Sequence, residues 1–404
     1  MGSAIENRLS SATKALDDGQ YSNALHEAEI ALAELEQVTN GIETLAKAYE
    51  LACRATMGLG NYTIAAEYAH HALELLAEMD ETRRMHASRL ELAVCSLHQG
   101  DLRQAQYLVA DVLSEAQQHD WHDLEARCQL YLGTLAWQEG TIDQAIEILE
   151  QALPLLEQQG LAYYAAQACA SLGVAFAMAK REDEAEARFK TALDYHQQHR
   201  DDTQVVRCLN NLAGLAFKRH DWHRARDYLL DCVKFMAESG NKTDLATAWQ
   251  NLGLVEMHQG DWQLANKYLN RALQLAQEVE NRRVEADALL KLAILFLTKG
   301  DPVGAANYGS LSRNRFEGLT GAAATTLNWF LALIELANGR DKSALQLWAG
   351  RAPWPSDQDL GFFQGLLQHI LTDQYVNAVE LPRSSQKLGH QWLGELDNAT
   401  HESA

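Results

Sequence analysis

Proline, paired cysteine, basic charge and long apolar runs are all scarce in this sequence, and each shortage excludes something. Only five prolines occur in 404 residues, so there are few points at which a helix must lose a backbone hydrogen bond and break. Six cysteines are present, but none forms a C-x-x-C pair, and all of them (Cys53, Cys95, Cys128, Cys169, Cys208, Cys232) fall inside apolar helical patterns. That arrangement offers neither a zinc-ligand spacing nor a disulfide framework and points to buried free thiols in a reducing, cytoplasmic setting. The segment MGSAIENRLSSATKALDDGQ has no apolar core of signal-peptide length, and no run of 18 apolar residues occurs anywhere, so no membrane-spanning helix is expected. Lys and Arg number 34 against 55 Asp and Glu, a formal charge of −21. This is the wrong sign for neutralising phosphates, which argues against nucleic acid and anionic membrane and favours a partner that is neutral or basic overall.

What the sequence has is periodicity. Glycine followed by a polar residue recurs at Gly60, Gly100, Gly140, Gly260 and Gly300, with Lys180 and His220 filling the gaps, a spacing of 40 residues. Gly19 and Gly339 extend the series at either end, making nine repeats. Five residues past the turns stand Ala65, Ala105, Ala145, Ala185, Ala225, Ala265 and Ala305, with Ala24 and Ala344 at the ends. Seven or eight residues before the turns stand pairs such as Leu132-Gly133, Leu172-Gly173, Leu212-Ala213, Leu252-Gly253 and Leu292-Ala293. Glycine inside a helix costs roughly 1 kcal/mol, so its recurrence implies a close crossing with a second helix. Glycine at the turn serves as a left-handed C-cap of one helix, and Asp101, Asp221, Asp261 or Asp301 after it as N-cap of the next. Pro302 then falls at a first helical position, where its missing N–H costs nothing. Pro154 lies within the second helix of the fourth repeat and predicts a local bend.

Each repeat thus reads as helix A, a tight turn, helix B and a short link. In this form it resembles the tetratricopeptide repeat family: Ala145, Leu149 and Ala152 match its helix B pattern, as do Ala185, Phe189 and Ala192, and Ala265, Leu269 and Ala272. The resemblance covers roughly residues 5 to 350. It departs from the family in its period, 40 in place of the usual 34, and in lacking the proline that commonly ends helix B. The longer period is similar to that of LGN-like scaffolds, kinesin light chains and bacterial regulators of the Rap, PlcR and MalT types. HEAT repeats share the period but not the Leu-Gly and alanine spacing. The fold implied is all-α, a right-handed α-solenoid of about nine helix-turn-helix repeats over residues 1–350. A capping segment follows over 351–380, with an amphipathic helix from about Asp359 to Leu371, and then a polar tail over 381–404, read as flexible or as a short segment docking on the array.

The resemblance also implies a concave surface lined by the A helices. Carried over by register, it places Thr247, Gln250, Asn251, Leu254 and His258 in the groove of the seventh repeat, and Arg207, Asn210, Asn211, Gly214 and Lys218 in that of the sixth. The fourth repeat contributes Arg127, Tyr131, Thr134 and Trp137, the fifth Gln167, Ser171, Val174 and Met178, and the eighth Asp287, Lys291 and Ile294. Side-chain amides carry both donors and acceptors and so can clamp the backbone of an extended peptide, which makes repeats six to eight the expected contact surface. Arg207, Lys218 and Lys291 stand ready for carboxylates of a partner or of neighbouring repeats.

No metalloprotease, phosphate-loop, nucleophile-elbow or dinucleotide motif is present, and no cofactor is expected. The histidine clusters at His119–Asp123 and His220–His223 occupy non-equivalent places in the repeat, and Trp222 and Trp262 stand where other repeats have the packing residues Tyr62, Leu102 and Ile142. The function expected is a non-enzymatic protein- or peptide-binding scaffold or adaptor. One alternative is a peptide- or small-ligand-sensing regulator of a bacterial pathway; because the repeats begin near Ile5, its output would lie on another protein. The other is a self-assembling protein that dimerises through Trp329, Phe330, Trp348, Trp354, Phe362 and Phe363 near the C-terminal end.

Overall fold

A computed structural model describes residues 2–35, 41–239, 242–316 and 322–340, together with Ala344, Leu388, Gln391 and Trp392. These residues are helical except at short connections. In chain order the helix pairs are α1 (Gly2–Asp17) with α2 (Tyr21–Leu35), α3 (Ile42–Gly58) with α4 (Tyr62–Glu78), α5 (Thr82–Gln99) with α6 (Leu102–Gln118), and α7 (His122–Gln138) with α8 (Ile142–Gln158). There follow α9 (Ala162–Met178) with α10 (Glu182–Gln198), α11 (Asp202–Lys218) with α12 (Trp222–Ser239), α13 (Lys242–Gln259) with α14 (Trp262–Glu278), and α15 (Arg282–Thr298) with α16 (Pro302–Phe316), before α17 (Ala322–Ala337). Eight helix pairs and the first helix of a ninth are therefore described. The fold is an all-α solenoid in which consecutive helices pack on one another from α1 to α10 and from α12 to α17.

The physical basis is the one the sequence suggests. Ala65, Ala105, Ala145, Ala185, Ala225, Ala265 and Ala305 have no exposed surface. A Cβ added to Gly133 would fall 2.5 Å from Leu149 Cγ, one on Gly173 2.6 Å from Phe189 Cδ1, and one on Gly253 2.7 Å from Leu269. Helices A and B meet at these points too closely for any side chain on A. Asp101, Asp221, Asp261 and Asp301 each accept a backbone N–H three residues on, from Gln104, Arg224, Leu264 and Gly304. Helix α16 starts at Pro302, and α8 runs through Pro154 to Gln158. All six cysteines are buried and free.

The turn geometry goes beyond the expectation in one respect. Left-handed residues occur at the links between repeats as well as within them: Asp80, Asp120, Gly160, Arg200 and Glu280 all have φ between 52° and 69°. The left-handed stop therefore recurs about every 20 residues, and most of the links carry it on a residue other than glycine.

The chain divides into two compact units, Met1–Leu215 and Ala216–Ala404, with the boundary inside α11. In the second unit one core cluster joins Leu269, Leu292, Leu333 and Leu336 to Phe330 and Trp392. Trp392, from the tail, is fully buried there, and Leu388 packs against the same cluster. Phe330 is a core residue as well; Trp348, Trp354, Phe362, Phe363 and the expected helix from Asp359 to Leu371 lie outside the described residues, as does the side chain of Trp329. No helix among the described residues is long and apolar enough to cross a membrane.

Candidate functional site: a tyrosine-lined chamber in the first unit

Within the first unit the inner faces of α3, α5, α7, α9 and α11 surround a cavity of about 810 Å³. Part of its wall is a contact between residues 180 apart in sequence. Tyr21, at the start of α2, donates a hydrogen bond to Asp201 Oδ2 at 2.7 Å. Asp201 is also the N-cap of α11, accepting the Gln204 N–H on Oδ1, and buried His196 places Nδ1 3.5 Å from Oδ2. Beside them the Gly19 backbone lies against Arg200 and Asp201, where a Cβ would come within 3.0 Å of the Asp201 Cα. Glycine is required at position 19 for that approach as well as for its φ of +69°. Burial, then the neighbouring Tyr163 and the Asp201 carboxylate, push the Tyr21 phenol well above its ordinary range, so its hydroxyl remains a donor.

The walls combine rings with hydroxyl and amide groups. Tyr62, Tyr131, Trp137, Tyr163, Tyr164 and Tyr195 line the chamber with Thr134, Gln167, Ser171, Gln204 and Asn211. Thr134 and Ser171, one repeat apart on α7 and α9, lie 3.2 Å from one another through their hydroxyls. His98 stacks on Tyr62 with ring centroids 4.0 Å apart; burial and then the charge of Arg207 lower its pKa to about 4, which keeps the ring neutral near pH 7. Burial likewise raises the Tyr131 hydroxyl well above its usual value. The surface thus offers neutral donors, acceptors and aromatic faces around two guanidinium groups, Arg54 and Arg207, and three carboxylates, Asp17, Glu91 and Asp201.

The sequence-derived site residues separate into several environments. Tyr131, Arg207 and Asn211 line the chamber. Arg127 is buried behind it, paired with Glu91 at 2.7 Å and stacked over the Tyr164 ring at 4.5 Å. Asn210 is half-buried on α11. The remaining residues belong to the second unit, where several are engaged internally. Gln250 is buried; it donates to the Val284 carbonyl at 2.8 Å and accepts from Lys291 Nζ at 3.0 Å, and Lys291 also pairs with Asp287 at 2.5 Å. The two residues expected to meet a partner here satisfy each other. Ile294 is core, His258 stacks on Trp222 with centroids 4.5 Å apart, and Thr247 donates to the Thr243 carbonyl. Asn251 is half-buried and Lys218 exposed. Sequence reasoning missed Tyr21, Tyr62, Tyr163, Tyr164 and Tyr195. Their available signal was the concentration of tyrosine at helix starts and ends in the first five repeats.

The sequence model of the tetratricopeptide repeat family matches residues 244–317. The array is of the tetratricopeptide type. No curated protein sequence matches the chain, and the similarity to solved structures lies in the fold. A signal-transduction ATPase with numerous domains from Pyrococcus horikoshii, which carries a tetratricopeptide repeat sensor, is 14% identical, with a TM-score of 0.62 over 86% of this chain and 54% of that protein, so the chain spans just over half its length. The Rap conjugation gene regulator of plasmid pLS20, solved with the Phr* peptide, is 16% identical over 68% of this chain and 74% of its own, with a TM-score of 0.53. Aspartyl phosphate phosphatase F from Bacillus subtilis is 13% identical over 88% and 95%, also with a TM-score of 0.53. Among the described residues of this tetratricopeptide array, no group of three or more His, Cys, Asp or Glu side chains is placed to hold a metal ion.

Proposed function

We propose that this protein is a non-enzymatic peptide-binding adaptor of the cytoplasm whose binding surface is the chamber of the first unit. The observation that carries this reading is the convergence of five successive A helices on one cavity of about 810 Å³ lined with amides, hydroxyls and aromatic rings. An extended peptide presents alternating N–H and C=O groups, and Gln167 and Asn211 can answer both, while the tyrosines cover its side chains with apolar area at little entropic cost. The amides expected to clamp in the seventh and eighth repeats are a weaker basis, because Gln250 and Lys291 are already bonded to each other.

The test uses a fluorescent pool of random heptapeptides and two double variants. Each lost amide contact is worth about 0.5–1.5 kcal/mol, so Gln167→Ala with Asn211→Ala should weaken retention of the pool about tenfold with an unchanged melting temperature. Thr247→Ala with Asn251→Ala should leave retention as it is. The reverse pattern would move the site to the second unit, and a wild type that retains no peptide would remove the peptide reading.

Ligand sensing in a bacterial pathway is the second reading, favoured by the peptide held by the pLS20 regulator. It differs from the first in requiring that occupancy change a contact elsewhere, for which the Tyr21–Asp201 bond is the candidate. Hydrogen exchange in α1 and α2 with and without peptide separates the two.

A further inference from the structure

Beside the chamber, and sharing Arg54, Glu91 and Tyr164 with it, lies a smaller pocket of about 290 Å³ between α3, α4, α5, α7 and α9. Three guanidinium groups and two carboxylates line it: Arg54, Arg84 and Arg127 with Glu50 and Glu91. Both carboxylates are engaged. Arg84 forks onto Glu50, with Nη2 to Oε2 at 2.7 Å and Nε to Oε1 at 3.3 Å, and Arg127 Nη2 binds Glu91 Oε1 at 2.7 Å. Arg127 Nε is buried and makes no hydrogen bond. Arg54 is exposed at the junction of the two cavities and takes part in no ion pair among the described residues.

Once the pairs are subtracted, one guanidinium and one buried charged N–H are left over, in a chain whose formal charge is −21. A buried donor on a charged group is costly to leave unmet, and a cation in so acidic a protein is otherwise drawn to a carboxylate. We propose that the side pocket is an anion subsite that takes a carboxylate or phosphate group of the chamber's ligand, with Arg54 as the accessible contact and Arg127 behind it. Planar guanidinium forks suit either oxyanion. The overall charge of the protein favours a partner that is neutral or basic as a whole; the subsite adds that this partner carries one anionic anchor. That the anchor belongs to a peptide rests on the reading above, whereas the subsite rests on its own donors.

The subsite is tested first without a peptide. Inorganic phosphate and acetate are titrated at constant ionic strength into wild type, Arg54→Met and Arg181→Met, the last removing a surface guanidinium paired with Glu184. A ligand that binds only the native state raises the melting temperature saturably, so the wild type and R181M should show that rise. In R54M, whose exposed position leaves helicity intact, half-saturation should move up about tenfold. Equal shifts in all three proteins would overturn the subsite, since that is general stabilisation by salt. A stronger response to phosphate than to acetate assigns a phosphorylated ligand, and the converse a carboxylate. A second titration compares heptapeptide pools ending in a free carboxylate or an amide. A preference for the free carboxylate that R54M abolishes supports the anchor. Equal binding of both pools by wild type and R54M overturns it while leaving the peptide reading intact. Anion binding without any peptide binding upholds the subsite and overturns the peptide reading.

Discussion

Lys180, with φ of 60°, occupies the turn position that Gly60, Gly100 and Gly140 fill in other repeats. A side chain in the left-handed region costs about 1 kcal/mol relative to glycine. Lys180→Gly should therefore stabilise the first unit by about 0.5–1 kcal/mol, and Gly140→Lys should cost a similar amount; thermal melting of the two variants checks both signs. The same energetics explain why the links were hard to read. Asp80, Asp120, Arg200 and Glu280 adopt the left-handed conformation with no glycine to announce it, because the helices on either side hold the turn closed. Nor is the pairing of Gln250 with Lys291 visible in a register, which gives the helix face of a residue but not the partner its side chain finds across the next helix.

At the scale of the helix pair, small residues set the distance between helices. Gly173 in α9 meets Phe189 of α10, with 2.6 Å left for a Cβ, whereas Gly214 in α11 has nothing within 4 Å of its own. Alanine at these two positions should act in opposite directions. Gly173→Ala forces the Phe189 ring aside and should destabilise by about 1–3 kcal/mol; Gly214→Ala adds helix propensity and should stabilise by up to about 1 kcal/mol. Chemical denaturation of both variants measures the difference, and a neutral Gly173→Ala would show that the helices separate freely. This level of the structure was legible: helix pairs, caps, the alanine seam and the Leu-Gly crossings all follow from the 40-residue pattern. The chamber was not. Its wall is built from the same register positions in five repeats, but its closure depends on the small rotation between successive repeats, which accumulates along the array and leaves no mark on any one of them.

At the scale of the whole chain, two compact units are present, and in the first a hydrogen bond joins residues 180 apart in sequence. Tyr21→Phe removes the hydroxyl that reaches Asp201, a hydrogen bond to a charged group worth about 1.5–3 kcal/mol. The expected outcome is faster amide exchange in α1 and α2 with α5 to α8 unchanged, and weaker ligand retention by the chamber. Uniform protection across the unit would mean that nearest-neighbour packing alone keeps it closed.

That contact also fixes an order of events during synthesis. Most contacts in such an array join adjacent helices and can form as the chain emerges, but the partner of Tyr21 lies 180 residues later. At about 5–20 residues per second, a ribosome needs roughly 10–40 s to reach Asp201. Throughout that interval the first repeats are folded yet carry an incomplete wall, with Tyr21 and its neighbours open to solvent. The chamber proposed to bind peptide therefore cannot be completed in a newborn chain until Asp201 has been added.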